Sequence, residues 1–295
     1  MSHLGHELGF VLPVDKPSGP TSHDVVKVLR RELGVPRVGH TGTLDPFASG
    51  LLLMCVGYLT RLSEYLVGLD KSYEAVALLG ISTDTEDLHG NVIGESNAWK
   101  NLTTDEIQEA LYLLKGDIEQ VPPQFSAKKI KGVAMHRRAR RGEFIDLQPK
   151  NIRIHELELI SMDLPLIRFR VSCSSGTYIR SLARDIGAKL KVGAHLVELR
   201  RTSVGTFSVE DAVNPDHLCD DSVIEAGAID PLKAIGHLNQ VTVNQASANK
   251  LVCGSAIPFQ GSVISGPVAV SQAGVLIAIA EIAEGYMQPR KVFVQ

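Results

Sequence analysis

Between Leu166 and Cys173 the chain reads LIRFRVSC, so that Ile167, Phe169, Val171 and Cys173 alternate with Arg168, Arg170 and Ser172. Apolar residues at every second position with charges between them describe a strand that buries one face. The period then changes at once. After a Ser-Ser-Gly turn, Ile179, Leu182, Ala183 and Ile186 recur at helical spacing and predict a helix packed through that face. Arg180 lies off the apolar face, near the helix N-terminus.

Both periods recur along the chain. VLPVDKPSGPTSHDVVKVLRREL gives a short strand-like run, a Pro/Gly turn and a helix that Thr21 or Ser22 caps, with Val25, Val26, Val28 and Leu29 on its apolar side. In SYEAVALLG, Tyr73, Ala75 and Ala77 share one face of a predicted strand that Gly80 ends. Thr103 and Glu106 form a capping box for a helix carrying Ile107, Ala110, Leu111 and Leu114. ASGLLLMCVGYLTRLSEYLVG is expected to be helical or tightly buried for part of its length. IRIHELELI reads as a strand. Periodicity weakens between Asp216 and Gly236, which marks a boundary. The stretch beyond, with short β-branched runs broken by Gly and Ser, is expected to be a small β domain with one helix.

The length of 295 residues and a hydrophobic content of 44% suit one large or two ordinary soluble domains. MSHLGHELGF has no basic start leading into an apolar core, and LLLMCVGYL is too short to span a bilayer, so a cytoplasmic protein with no membrane partner is expected. Cys55, Cys173, Cys219 and Cys253 are scattered without a C-x-x-C pair, which suggests neither a disulfide framework nor a zinc site. The formal net charge is −3, yet KKIKGVAMHRRARR, from Lys128 to Arg141, holds seven cations and no acid, leaving −10 on the rest. One basic segment on an acidic body fits a defined polyanion contact or a solvated loop.

The loop GHTGTLDPFASG, residues 39 to 50, is glycine-rich, but Gly50 is followed by three leucines where a phosphate-binding loop needs lysine and a hydroxyl residue. The dinucleotide fingerprint also fails, since Gly39 and Gly42 are three apart with no glycine at the required offsets. The position matching the phosphorylated aspartate of cation-pumping ATPases is Gly39, which cannot be a nucleophile. What remains is Asp45, pushed toward an extended conformation by Pro46 while Gly39 and Gly42 permit a tight path. The residues alone leave two roles open for it, an outward-aimed carboxylate or a turn residue.

VDKPSGPTSHDVV, GHTGTLDPFASGLL, DKSYEAVALLGISTDTEDLHG and SSGTYIRSLARDIG with GAHLVELRRTSVG resemble, in that order, the TruB family of pseudouridine synthases over about the first 210 residues. The resemblance implies an α+β catalytic domain, residues 1–230, on a mixed, mainly antiparallel sheet with flanking helices. A small β-rich, PUA-like RNA-binding domain would follow at 236–295. It also implies isomerisation of the T-loop uridine, position 55, of tRNA to pseudouridine. Asp45 matches the catalytic aspartate, Arg180 its paired arginine, and Tyr73 the tyrosine that stacks on the target base. Tyr178 and Leu199 match positions lining the uridine pocket, and His40 the histidine that inserts into the RNA. The basic segment, with Lys128, Lys129, Arg137 and Arg138, occupies the place of a mobile thumb over the RNA.

The chemistry suits these residue types. Moving a base from nitrogen to carbon attachment needs an anionic group near the ribose, and a single ionised carboxylate supplies one without metal or redox cofactor. A buried aspartate tends to protonate, so Arg180 is expected to hold Asp45 ionised. Two other functions compete: a guide-RNA-dependent subunit of a ribonucleoprotein, and a non-catalytic tRNA-binding or folding module. A monomer acting on the tRNA T-arm is the expectation.

Overall fold

The computed structural model describes residues 9–125, 129–130, 133–134, 147–262 and 264–293. Its first strands are β1 (Val11–Lys16), β2 (Val38–His40), β3 (Ser49–Val56), β4 (Lys71–Leu79), β5 (Ile81–Thr83), β6 (Val92–Glu95) and β7 (Gly116–Gln120). The short hairpin β8 (Lys129–Ile130) and β9 (Val133–Ala134) follows, then β10 (Lys150–Asp163), β11 (Leu166–Cys173), β12 (Ala194–Val204) and β13 (Phe207–Ser208). One sheet runs β1-β3-β12-β4-β11-β10-β7, with β2 added to β3 and β13 to β12. Its strand pairs are antiparallel except β12 with β3. This is the mixed, mainly antiparallel sheet that the sequence predicts.

The alternating strand is β11, and Ile167, Phe169, Val171 and Cys173 are all buried. They pack with Tyr73, Ala75 and Ala77 of β4 and with Leu182, Ala183 and Ile186 of the helix Ile179–Lys189. Thr21 caps the helix Ser22–Leu33 in a capping box with Asp24, and Thr103 with Glu106 does the same for Thr104–Tyr112. The run LLLMCV is a strand, with only Ser63–Val67 helical after a 3₁₀ turn. It shows no period because both faces are covered. Leu52, Met54 and Val56 pack toward the helix Ser22–Leu33, whereas Leu51, Leu53 and Cys55 belong to a cluster on the other side.

That second cluster reaches the tail. A five-stranded sheet, β14-β16-β17-β18-β15, is built from β14 (Asn239–Thr242), β15 (Ile257–Pro258), β16 (Pro267–Gln272), β17 (Val275–Ala283) and β18 (Tyr286–Val292), with the helix Gln245–Val252 against it. Ala269, Leu276, Ile279 and Phe293 of this part share the cluster with Val11 and Leu51. The weakly periodic stretch 216–236 holds the helices Asp221–Gly227 and Pro231–Ala234, and buries Leu218 and Ile224 beside β1. No helix among the described residues is long and apolar enough to cross a membrane.

The parallel contact between β3 and β12 pairs Ser49 with Arg200 and Gly50 with Arg201. Gly50 has φ +103°, and a Cβ there would lie 2.2 Å from the carbonyl oxygen of Arg201, so only glycine fits. This contact joins the strand after the Asp45 loop to the strand that carries Leu199. Gly50→Ala is expected to cost at least about 2 kcal/mol, through strained backbone and a broken strand pairing. Urea unfolding checks it; a midpoint equal to that of the wild type would contradict the close approach.

Candidate active site

The Asp45 loop is held by the turn that follows β1. Ser22 Oγ donates to Leu44 O at 3.1 Å and accepts from Leu44 N at 2.9 Å. Ser18 Oγ donates to Phe47 O at 2.9 Å, and Gly19 N to Pro46 O at 2.7 Å. Lys16, wholly buried, donates through Nζ to Pro17 O, Pro20 O and Pro46 O at 2.7, 2.8 and 3.3 Å. These bonds satisfy loop carbonyls and amides that would otherwise leave the backbone path free to vary. Burial brings Lys16 down to about 8, with Asp45 pulling it up and Arg201 pushing it down.

Arg180 is the centre of the charge arrangement. Its Nε lies 2.9 Å from Asp45 Oδ2, and its Nη1 3.2 Å from Asp87 Oδ2. Nη1 also donates to Thr85 O at 2.9 Å and Nη2 to Phe125 O at 2.7 Å. The side chain is 6% exposed. Arg180 thus lies off the apolar stripe, as its spacing indicates, but it runs under the segment around Asp87 and does not face solvent. Asp87 is in turn fixed through Oδ1, which accepts from Thr85 Oγ1 at 2.7 Å and His89 N at 3.0 Å. Asp45 is half-buried. Burial pushes its carboxyl above the ordinary range, Arg180 pulls it back, and Asp87 adds to the rise. Arg180 therefore opposes protonation of Asp45, as expected, without outweighing burial.

A cavity of about 510 Å³ opens over this pair, and Asp45, Tyr73, Tyr178, Arg180 and Leu199 all line it. Tyr73 is buried on β4, and burial holds its phenol above the ordinary range, with Arg201 opposing. The Tyr178 backbone is clamped by Gln120, whose Nε2 donates to Tyr178 O at 3.1 Å and whose Oε1 accepts from Tyr178 N at 2.9 Å. His40 stands apart: it is half-buried at the end of β2, its Nδ1 accepts from Gly42 N at 3.3 Å, and it is not among the cavity-lining residues. Burial, then Arg201 and His23, lowers its pKa. Lys128, Arg137 and Arg138 lie outside the described residues, and of Lys129 only the backbone in β8 is described. Sequence reasoning missed Lys16, Lys71, Asp87, Gln120 and Arg201. For Lys16, Lys71, Asp87 and Arg201 a signal existed, since all four fall inside the quoted motifs VDKPSGPTSHDVV, DKSYEAVALLGISTDTEDLHG and GAHLVELRRTSVG.

Residues 30–179 match the model of the TruB family pseudouridylate synthase N-terminal domain, and residues 180–234 that of the tRNA pseudouridylate synthase B C-terminal domain. The chain belongs to the TruB family. The tRNA pseudouridine synthase B of Geotalea uraniireducens is 42% identical over 249 residues, covering 83% of this chain and 80% of that one. That of a Synechococcus species is 41% identical over 294 residues, covering 97% of each. Among solved structures, an H/ACA ribonucleoprotein bound to a substrate RNA containing 2′-deoxyuridine aligns with a TM-score of 0.75 at 25% identity, over 97% of this chain and 85% of that one. An archaeal box H/ACA ribonucleoprotein complex aligns with a TM-score of 0.74 at 25% identity, over 97% and 86%. The fold of this chain is a mixed sheet with flanking helices, followed by a β-rich C-terminal part.

The raised pKa of Asp45 has a definite sign for stability. The folded state favours the protonated carboxyl, so this contribution is fully present below the unfolded-chain pKa and is lost as pH rises through the folded value. Asp45→Asn cannot titrate. The unfolding temperature of the variant minus that of the wild type is expected to grow as pH rises from about 4 toward neutrality. Thermal unfolding at matched ionic strength measures it, and a difference that stays flat with pH would contradict a desolvated Asp45.

Proposed function

We propose that this chain isomerises the uridine at position 55 of the tRNA T-loop to pseudouridine, as a stand-alone enzyme that needs no guide RNA. The observation that carries the reading is a cavity in a TruB-family chain where the Asp45 carboxylate, paired with Arg180, stands among Tyr73, Tyr178 and Leu199. Identities above 40% to relatives named tRNA pseudouridine synthase B, against 25% to the ribonucleoprotein structures, support tRNA as the substrate over a guided RNA.

Asp45 is the group that acts at the ribose when the glycosidic bond breaks, and Arg180 with Asp87 fixes the direction of its carboxylate. Tyr73 offers its ring to the extruded base. Leaving the stack costs a few kcal/mol, and an aromatic face returns about 1–3 kcal/mol of this. Contacts with the RNA backbone supply the remainder. The basic segment from Lys128 to Arg141 and a PUA-like tail are the parts assigned to those contacts, and His40, on the loop side of β2, to the remodelled RNA. The catalytic residues lie before residue 230 and the tail sheet after 236, which gives the proposed division of the chain.

Asp45→Asn keeps the size and removes the charge. Incubated with unmodified tRNA and no accessory RNA, it is expected to form no pseudouridine while retaining most T-arm affinity; appreciable turnover by the variant would remove Asp45 from the chemistry. A second expectation concerns the basic segment. Replacing Lys128, Lys129, Arg137 and Arg138 by neutral residues should weaken binding to different tRNAs alike. It should also lower the magnitude of the log–log salt slope by about 0.7–0.9 for each phosphate that one of these cations neutralises. Filter-binding titrations across salt concentrations measure both, and an unchanged slope with unchanged affinity would make the segment a solvated loop.

A further inference from the structure

Two buried cations of the cavity wall have no part in the reading above. Lys71 and Arg201 line the cavity and are 8% and 2% exposed. Lys71 precedes Tyr73 by two residues on β4, and Arg201 faces Tyr73 across the β4–β12 ladder. A Cβ placed on Gly42 would stand 3.5 Å from Arg201 Nη1 and 3.8 Å from Lys71 Cε, so both cations border the same gap. Their partners are neutral. Lys71 Nζ donates to Val67 O and Leu69 O at 2.9 and 2.5 Å. Arg201 donates through Nε to Leu51 O at 2.6 Å and through Nη2 to Gly42 O at 3.1 Å. Asp70, next to Lys71 in sequence, lies 3.1 Å from His155.

Buried charges are ordinarily paired. Among the described residues, Lys16, Lys71, Arg180 and Arg201 are set against Asp45 and Asp87, with Asp70 acting on Lys71 by its charge while its carboxylate is held by His155, so the site keeps an excess of positive charge in a chain of net charge −3. Burial and then Arg201 bring Lys71 down to about 8, with Cys173 and Asp70 opposing, so its charge is less favoured here than in water. Such a wall is complementary to negative charge that develops on what enters.

The proposed reaction generates that charge on the base. When the C1′–N1 bond breaks, its electron pair goes to N1 and spreads over O2 and O4 of the ring. The detached uracil is an anion until C5 bonds to the electron-poor C1′ and neutralises it; the C5 proton then passes to water and N1 takes one up, which completes the product without net change of charge. We propose that Lys71 and Arg201 form an electrostatic cup for this anion, stabilising the leaving uracil while Asp45 acts at the ribose. The proposal rests on the pseudouridine synthase reading. A backbone phosphate is the other anion the substrate brings, but the two cations are nearly wholly buried beside Tyr73, the residue to which the reading above assigns the extruded base.

Leaving-group sensitivity tests it. A tRNA with 5-fluorouridine at the target carries a base whose anion is intrinsically more stable and which has no C5 proton to lose, so comparison with uridine reads bond cleavage. Single-turnover rates at saturating tRNA are compared for wild type, Lys71→Met and Lys71→Arg. Loss of the charge in Lys71→Met is expected to slow the uridine substrate about 10–100-fold. The fluorouridine-to-uridine rate ratio should rise about tenfold over the wild-type ratio, with Lys71→Arg restoring most of the rate. The ratio cancels the fraction of active protein, and Arg201→Gln, expected to raise it likewise, provides the measurement if Lys71→Met does not fold. An unchanged ratio, or a uridine rate within about twofold of wild type, overturns the cup. A wild type that forms no pseudouridine overturns instead the reading beneath it.

Discussion

A guanidinium taken out of water has five donors and a charge to satisfy, and the requirements of Arg180 organise everything around the cavity. Its acceptors come from three separated places: Asp45, the Thr85 and Asp87 segment, and Phe125. Leu44, Phe47 and Ala48 pack the first of these on the core, and the bonds to Arg180 tie the three places to one another. Helix geometry explains why an arginine can do this at position 180, since Ile179, Leu182, Ala183 and Ile186 anchor the backbone while the long side chain leaves from the polar side. Removing either carboxylate changes the partner left behind as well as the residue removed, so the arginine and its two acids act as one unit.

Rigidity on the other side of Asp45 has a different origin. Lys16, Ser18, Gly19 and Ser22 bond the backbone of residues 44–47, so the loop's path is fixed whether or not Asp45 is charged. Arg180 then selects the orientation of one side chain on a loop already in place. Separating backbone support from side-chain orientation allows the carboxylate to stay partly accessible at the cavity wall, where a fully enclosed acid would remain protonated.

The sequence showed clearly those features that repeat locally. Alternation identified β11, spacing identified the helix after it, and Thr103 with Glu106 marked a helix start, because each of these depends on neighbours within four residues. Asp45, Tyr73, Tyr178, Arg180 and Leu199 were legible through ordered motifs and do meet at one cavity. LLLMCV was ambiguous because a strand covered on both faces loses its period. Lys16 and Arg201 stand inside quoted motifs but were not singled out, since their burial also depends on Pro46 and Leu51, 30 and 150 residues away, which the local pattern does not show. A cation in a turn or on a strand ordinarily reads as exposed.

Packing of the tail shows why a division by periodicity differs from independence. Phe293 lies against Tyr58, with centroids 5.7 Å apart, and Arg61 sits 5.3 Å from its ring centre. Arg61 Nη1 also donates to Val292 O at 2.7 Å, and Lys291 to Arg61 O at 2.6 Å. Tyr58 and Arg61 belong to the 3₁₀ turn between β3 and the helix Ser63–Val67, and that helix leads to the Val67 and Leu69 carbonyls that hold Lys71. The tail thus packs on the segment that supports one cation of the cavity, and its removal would expose Leu51, Leu53 and their neighbours to water. Shortening the chain before the tail therefore loosens the support under Lys71, an effect inside the cavity that is separate from anything the tail itself binds.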